Sequence, residues 1–151
     1  MLLKEGIKAP AFSLTDQDGR KIALKDFAGK KVVLYFYPKD MTSGCTREAQ
    51  GFQESLAALK RKGAVVIGVS KDSEASHRKF CDKYALQFTL LADVEGTVVE
   101  KYGVWQEKNM YGKKSMGIVR TTYVIDEAGK VAKVFARVKV DGHLEQVLEA
   151  L

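Results

Sequence analysis

An α/β domain with a mixed β-sheet at its centre and helices packed on both faces is the fold this sequence predicts, and three observations carry the prediction. Residues 31–37 (KVVLYFY) and 64–69 (AVVIGV) are continuous apolar, β-branched and aromatic runs, the composition of strands covered on both faces. Between them, residues 42–62 place Ala49, Phe52, Leu56 and Leu59 at spacings of three and four, one apolar stripe of a helix. Strand, helix and strand in that order form a right-handed βαβ crossover with a parallel pair at its centre.

The remaining elements follow along the chain. FSLT (12–15) alternates apolar and polar residues, DQDG (16–19) is a turn signal, and KIAL (21–24) can pair back, which makes an N-terminal β-hairpin. Asp16, Asp18 and Gly19 are read as turn formers, because they offer too few oxygens for a cation. Tyr35 and Tyr37 are read as core, with Tyr37 beside Pro38 at the rim of a pocket. Gly63 stops the long helix, and Asp72 or Ser73 caps another that runs to about Tyr84. Residues 95–102 are expected as a short helix and 104–117 as a polar, Gly-punctuated loop, of which WQEKNMYGKK (105–114) is read as a rim of the site, with a partner surface as its alternative role. DEAG (126–129) marks a hairpin between 121–125 and 131–138, and Leu144, Val147, Leu148 and Leu151 give the apolar face of a last helix.

With 151 residues, 46% of them hydrophobic, and no linker or repeat, a single domain over residues 1–151 is expected. The first residues, MLLKEGIKAP, lack the apolar run of a signal peptide, and no run approaches the roughly 18 apolar residues that span a bilayer. A soluble, cytoplasmic protein is therefore expected. Two cysteines do not make a disulfide framework, so any disulfide should be transient. The net charge is 25 − 19 = +6, but the lysines are scattered, without a basic block or a basic-aromatic stripe. Neither a nucleic-acid nor a membrane partner is expected. Without an exposed heptad or a long apolar edge, a monomer is expected.

The stretch YFYPKDMTSGCTREAQGF (35–52) sets Cys45 where a buried strand turns into a helix. In open α/β sheets, sites form outside the carboxyl ends of the strands. The unpaired N–H groups of a helix's first turn favour a thiolate there. Bringing an ordinary thiol from a pKa of about 8.5 to about 6 takes about 3.4 kcal/mol, whereas a helix terminus supplies at best about 2. A cation within about 4 Å could supply the difference. Arg120, at the mouth of the strand in GIVRTT (117–122), is the candidate. Arg47 competes, but residues two apart on a helix do not share a face. Thr42 brings a hydroxyl to the turn of Cys45, with helix N-cap as its alternative role.

These residues carry a family resemblance. PKDMTSGC (38–45) resembles the P-x-x-x-T-x-x-C signature of peroxiredoxins, and FYPKD and GCTREA resemble the peroxiredoxin Q, or bacterioferritin comigratory protein, subgroup. The similarity continues through GVSKDSEASHRKF, LLAD, KYGVW, MYGKKSMGIVRTTYVID and VDGHLEQVL, nearly the whole chain. The resemblance implies a thioredoxin-like fold and a thiol-dependent peroxidase that defends against hydrogen peroxide and organic hydroperoxides without a cofactor. It implies Cys45 as the peroxidatic cysteine, Thr42 and Arg120 as partners of thiolate and peroxide, and Pro38 as a shield against water. Two positions depart from the subgroup. Gln50 stands where many members carry a second cysteine, and Ser43 where proline is common.

Cys81, 81 − 45 = 36 residues on, is the other thiol, and a branch of the subgroup places its resolving cysteine on this helix. Its alternative role is a small buried hydrophobe. Cys81 lies about eight residues into its helix, roughly 12 Å along the axis, whereas a disulfide needs Cα atoms within about 7 Å. A Cys45–Cys81 bridge, reduced afterwards by a thioredoxin-like donor, is therefore expected to require unwinding within 42–50 or 74–84. Resolution by an external thiol and a non-enzymatic redox sensor remain as alternatives. A zinc site drawn from Cys45, Cys81, His77 and His143 lacks a tight ligand pair, and His77 is expected to face solvent.

Overall fold

The computed structural model describes residues 1–151. Strands β1 (Ser13–Asp16) and β2 (Lys21–Ala23) form the N-terminal hairpin, and a single 3-10 turn leads into β3 (Lys31–Phe36). Then follow α1 (Ser43–Glu54), α2 (Leu56–Arg61), β4 (Ala64–Ser70), α3 (Glu74–Tyr84), β5 (Thr89–Ala92) and α4 (Thr97–Lys101). The chain ends with β6 (Trp105–Met110), β7 (Lys113–Ile118), β8 (Thr121–Ile125), β9 (Val131–Phe135) and α5 (His143–Glu149). Seven strands make one mixed sheet in the order β2-β1-β5-β4-β3-β8-β9, in which β4 pairs parallel with both β3 and β5, and the other pairs are antiparallel.

Two-residue alternation along β3 divides the core. Val32, Leu34 and Phe36 point to one side, where they meet Val98 and Val99 of α4 together with Tyr102 and Tyr123. Val33, Tyr35 and Tyr37 point to the other, where they meet Cys45, Ala49 and Phe52 of α1, Leu59 of α2, Phe80 and Cys81 of α3, and Val147 of α5. Helices cover both faces as expected, but unevenly, and both cysteines lie in the core on the α1/α3 side. No helix is long and apolar enough to cross a membrane.

The structure corrects several expectations. Residues 104–117 are not a loop: β6 and β7 form a separate antiparallel hairpin closed by Tyr111 and Gly112, both at positive φ (+53° and +80°), as a two-residue turn requires. Its mostly exposed strands need no apolar alternation, so the sequence carries no strand period there. β5 was not anticipated, because four residues, three of them buried, are too short to show a period. β9 stops at Phe135 rather than 138, and Arg137 follows at φ +49°. The long helix is two pieces divided at Ser55. His77 does not face solvent: it is fully buried, and its spacing to Phe80, Cys81 and Tyr84 is that of the apolar face of α3.

Candidate active site

Strand register assembles the site. β8 runs antiparallel to β3 with Thr121 opposite Phe36, so Arg120, just before β8, lies beside the point where the chain leaves β3 for α1. The carbonyl of Arg120 accepts the N–H of Val138 at 2.9 Å, which ties this residue to the segment after β9. Thr42 is the N-cap of α1 in extended conformation, its carbonyl accepting from Thr46 N–H at 2.8 Å, and Cys45 stands in the first turn, 1% exposed. That first turn leaves N–H groups without partners inside the helix.

The guanidinium of Arg120 closes the arrangement. Its Nη2 lies 3.3 Å from Cys45 Sγ, and its Nη1 donates to Glu48 Oε1 at 2.6 Å. The guanidinium is thus shared between the sulfur of Cys45 and the carboxylate of Glu48. Arg47 is elsewhere, paired with Asp141 at 2.6 Å on the surface. Gly44 permits the approach, since a Cβ there would stand 3.2 Å from Arg120 Nη2.

Glu48, three residues after Cys45 and therefore on the same helix face, was missed in the sequence, as were Gly44 and Lys108. Burial pushes the Glu48 carboxyl up to about 7, against the opposing pull of Arg120, and its Oε2 has no hydrogen-bond partner. Lys108 on β6 is half-buried. Burial, with the nearby charge of Arg120, lowers its pKa, and Cys45 opposes that shift. The β6–β7 hairpin thus borders the site, as the rim reading required, although as strands. The one sequence signal for Glu48 was its i, i+3 spacing from Cys45.

The loop from β3 to α1 carries Pro38 and Thr42. Pro38 is half-buried beside the buried Tyr37. The Thr42 hydroxyl donates to the Lys39 carbonyl at 2.9 Å, so toward any further partner its oxygen can only accept. Cys81 is also 1% exposed and also a free thiol. Burial pushes its pKa up to about 11, with only partial opposition from Arg78. The four residues considered for zinc do not come together: the His77 ring nitrogens face Asp40 and the Leu91 carbonyl, and those of His143 face Thr122 and Gln146.

The AhpC/TSA family model matches residues 6–134. Peroxiredoxin Bcp of Bacillus subtilis is 44% identical over 151 residues, which span 100% of this chain and 96% of that protein. The chain belongs to this family and is a peroxiredoxin. Two solved variants of Xanthomonas campestris peroxiredoxin Q, each with one cysteine replaced by serine, are 38% identical to it, with a TM-score of 0.91. They cover 98% of this chain, and it covers 96% and 97% of theirs. A structure concerned with the alkyl peroxide reduction activity of Xanthomonas campestris bacterioferritin comigratory protein is 37% identical, covers 97% of this chain and 96% of its own, and has a TM-score of 0.91. The fold of this peroxiredoxin is accordingly thioredoxin-like, and it is a thiol peroxidase, acting on peroxides with a thiol reductant.

Proposed function

We propose that Cys45 is the peroxidatic nucleophile and Cys81 the thiol that resolves it, with Arg120, Thr42 and Pro38 completing the site. The observation that carries this reading is the 3.3 Å approach of Arg120 Nη2 to Cys45 Sγ. The thiolate attacks one oxygen of a hydroperoxide, the O–O bond breaks, and the other oxygen leaves with the bonding pair and takes up a proton as water or an alcohol. Cys45 becomes a sulfenic acid. Negative charge moves from sulfur to the departing oxygen, so a cation that reaches that oxygen as well as the sulfur stabilises the transition state more than the bound peroxide, and Arg120, 3.3 Å from the sulfur, is the group placed to do so. Thr42 accepts a hydrogen bond from the peroxide, since its own hydrogen is committed to Lys39. Pro38 keeps water from the pocket.

In the second step the Cys81 thiol condenses with the sulfenic acid, forming the disulfide and releasing water. As a buried thiol with a pKa near 11, Cys81 is protonated in this conformation, which supports an opening step before it reacts. The two cysteines replaced in the Xanthomonas variants lie 84 − 48 = 36 positions apart, the separation of Cys45 and Cys81. Alkyl hydroperoxides belong among the substrates by similarity to the alkyl-peroxide-reducing relative. A thioredoxin-like dithiol returns the disulfide to two thiols. The working form is a cytoplasmic monomer of one domain, and no step calls for a metal, haem or flavin.

The test is peroxide-dependent oxidation of a dithiol donor by the wild type and by Cys45→Ser and Cys81→Ser variants. Cys45→Ser should be inactive. Cys81→Ser should react once with peroxide, lose turnover and overoxidise readily. Full turnover by Cys81→Ser would transfer resolution to an external thiol.

A further inference from the structure

Beneath the site lies a buried polar cluster that the peroxide chemistry does not use. Asp40 Oδ1 accepts from the Tyr37 hydroxyl at 2.6 Å, and Asp40 Oδ2 accepts from Ser76 Oγ at 2.8 Å and lies 2.7 Å from His77 Nδ1. The Asp40 N–H donates to Asp72 Oδ2 at 2.8 Å, and that oxygen also accepts from Ser70 Oγ at 2.7 Å. His77 Nε2 lies 3.0 Å from the Leu91 carbonyl, which can only accept, so this nitrogen carries hydrogen. The ligand atoms of Asp40, Asp72 and His77 come within 4.8 Å of one another, yet hydrogen-bond donors already occupy both Asp40 oxygens and Asp72 Oδ2, which argues against a cation there.

The position of the cluster gives it a role. Asp40 belongs to the loop that enters α1, five residues before Cys45, whereas Ser76 and His77 lie in the first turn of α3, with His77 one turn before Cys81. Each bond from Asp40 to α3 therefore fastens one cysteine-bearing segment to the other. Met41, next to Asp40, holds φ +68°, a left-handed conformation rare for a residue of its kind, with its side chain exposed. Inward anchoring of Asp40 keeps the loop in that conformation.

We infer that Asp40, His77 and Ser76 form a latch that sets how readily Cys81 reaches oxidised Cys45, so that they are positioning residues for the resolving step. The inference rests on the assignment of Cys81 as resolver. While the latch is closed, Cys45 faces peroxide within a complete site and Cys81 stays packed. Its release frees both segments to unwind. Resolution competes with a second oxidation of the sulfenic acid, so a weaker latch should give faster disulfide formation and greater tolerance of peroxide.

The experiment measures disulfide formation after one equivalent of peroxide, and separately the peroxide concentration that half-inactivates the enzyme during turnover. Ser76→Ala removes one neutral hydrogen bond and should speed resolution about threefold, with the first oxidation unchanged. Asp40→Asn removes the charge from the pair while keeping its shape, and should speed resolution about tenfold. Both variants should raise the half-inactivating peroxide concentration. Ile125→Val, in the core on the opposite face of the sheet, is the control for general destabilisation and should change neither quantity. Resolution at the wild-type rate in Ser76→Ala and Asp40→Asn, or acceleration by the control as well, would overturn the latch alone. If Asp40→Asn does not fold, Ser76→Ala decides. A wild-type enzyme that forms no intramolecular disulfide would overturn the assignment of Cys81, and the latch with it.

Discussion

Cys45 and Cys81 are equally hidden from water, each 1% exposed and each packed in the same core cluster. What differs is the charge around them. Cys45 stands in the first turn of its helix with a guanidinium nitrogen 3.3 Å from its sulfur, whereas Cys81 stands far along its helix and burial drives its pKa up to about 11. Burial alone makes a thiol inert, and a preorganised cation together with a helix N-terminus works against that. Under the proposed roles the comparison separates the two thiols: Cys45 has a cation at its sulfur in the folded state, whereas Cys81 is packed among apolar side chains and would have to be released by movement of its helix before it reacts.

The sharpest way to break the contrast is to remove the cation. Arg120→Gln should slow oxidation of Cys45 by about 10²–10³, the typical loss for one preorganised donor at a reacting centre. Glu48 would at the same time lose its only hydrogen-bond partner. Rapid-mixing measurement of sulfenic acid formation checks this, and a rate close to wild type would leave Cys45 no better placed than Cys81.

Glu48 is where reactivity and stability pull apart. Its carboxyl rises from 4.5 in the unfolded chain to about 7 in the fold, mainly through burial, so folding favours its protonated form. That contribution is fully present below about pH 4.5 and is lost as the pH climbs to about 7, a difference of about 3 kcal/mol. Above that range Glu48 is ionised and serves Arg120 at a cost to the fold. Glu48→Gln lacks this titration, so its stability relative to wild type should rise between pH 5 and 7 and level off above. Urea midpoints across that range check the slope. A difference independent of pH would mean that the carboxyl titrates at its ordinary value.

The sequence disclosed the frame of this site better than its interior. β3, β4 and the apolar stripe of α1 were readable because continuous burial and a helical period each leave a strong pattern. Glu48 left none: a search for apolar periodicity passes over a buried charge, although its spacing from Cys45 placed it on the right face. His77 was misread for the same reason, since it continues the face of Phe80, Cys81 and Tyr84 in a polar letter. The β6–β7 hairpin was hidden for the opposite reason. It stands outside the main sheet with little to bury, so nothing in it alternates. Arg120 was legible only as a lone cation at the mouth of an apolar strand, while the register that brings it to Cys45 belongs to the fold.

A smaller change sharpens the comparison from the side of geometry. Gly44 lies in the first turn of α1, and an added Cβ would stand 3.2 Å from Arg120 Nη2, closer than most such contacts. The guanidinium, which now meets the sulfur at 3.3 Å, would have to give by a few tenths of an ångström. Gly44 has a helical, negative φ, so alanine brings no backbone strain and should favour the helix by up to about 1 kcal/mol. Gly44→Ala should therefore be as stable as wild type or slightly more so, and yet oxidise Cys45 about tenfold more slowly, since one factor of ten is about 1.4 kcal/mol of transition-state stabilisation. Thermal unfolding and peroxide kinetics on the same preparation separate the two effects. Slower oxidation without loss of stability would mean that contact distance, beyond the mere presence of the cation, distinguishes Cys45 from Cys81. An unchanged rate would mean that the guanidinium adjusts freely and that its charge alone is enough.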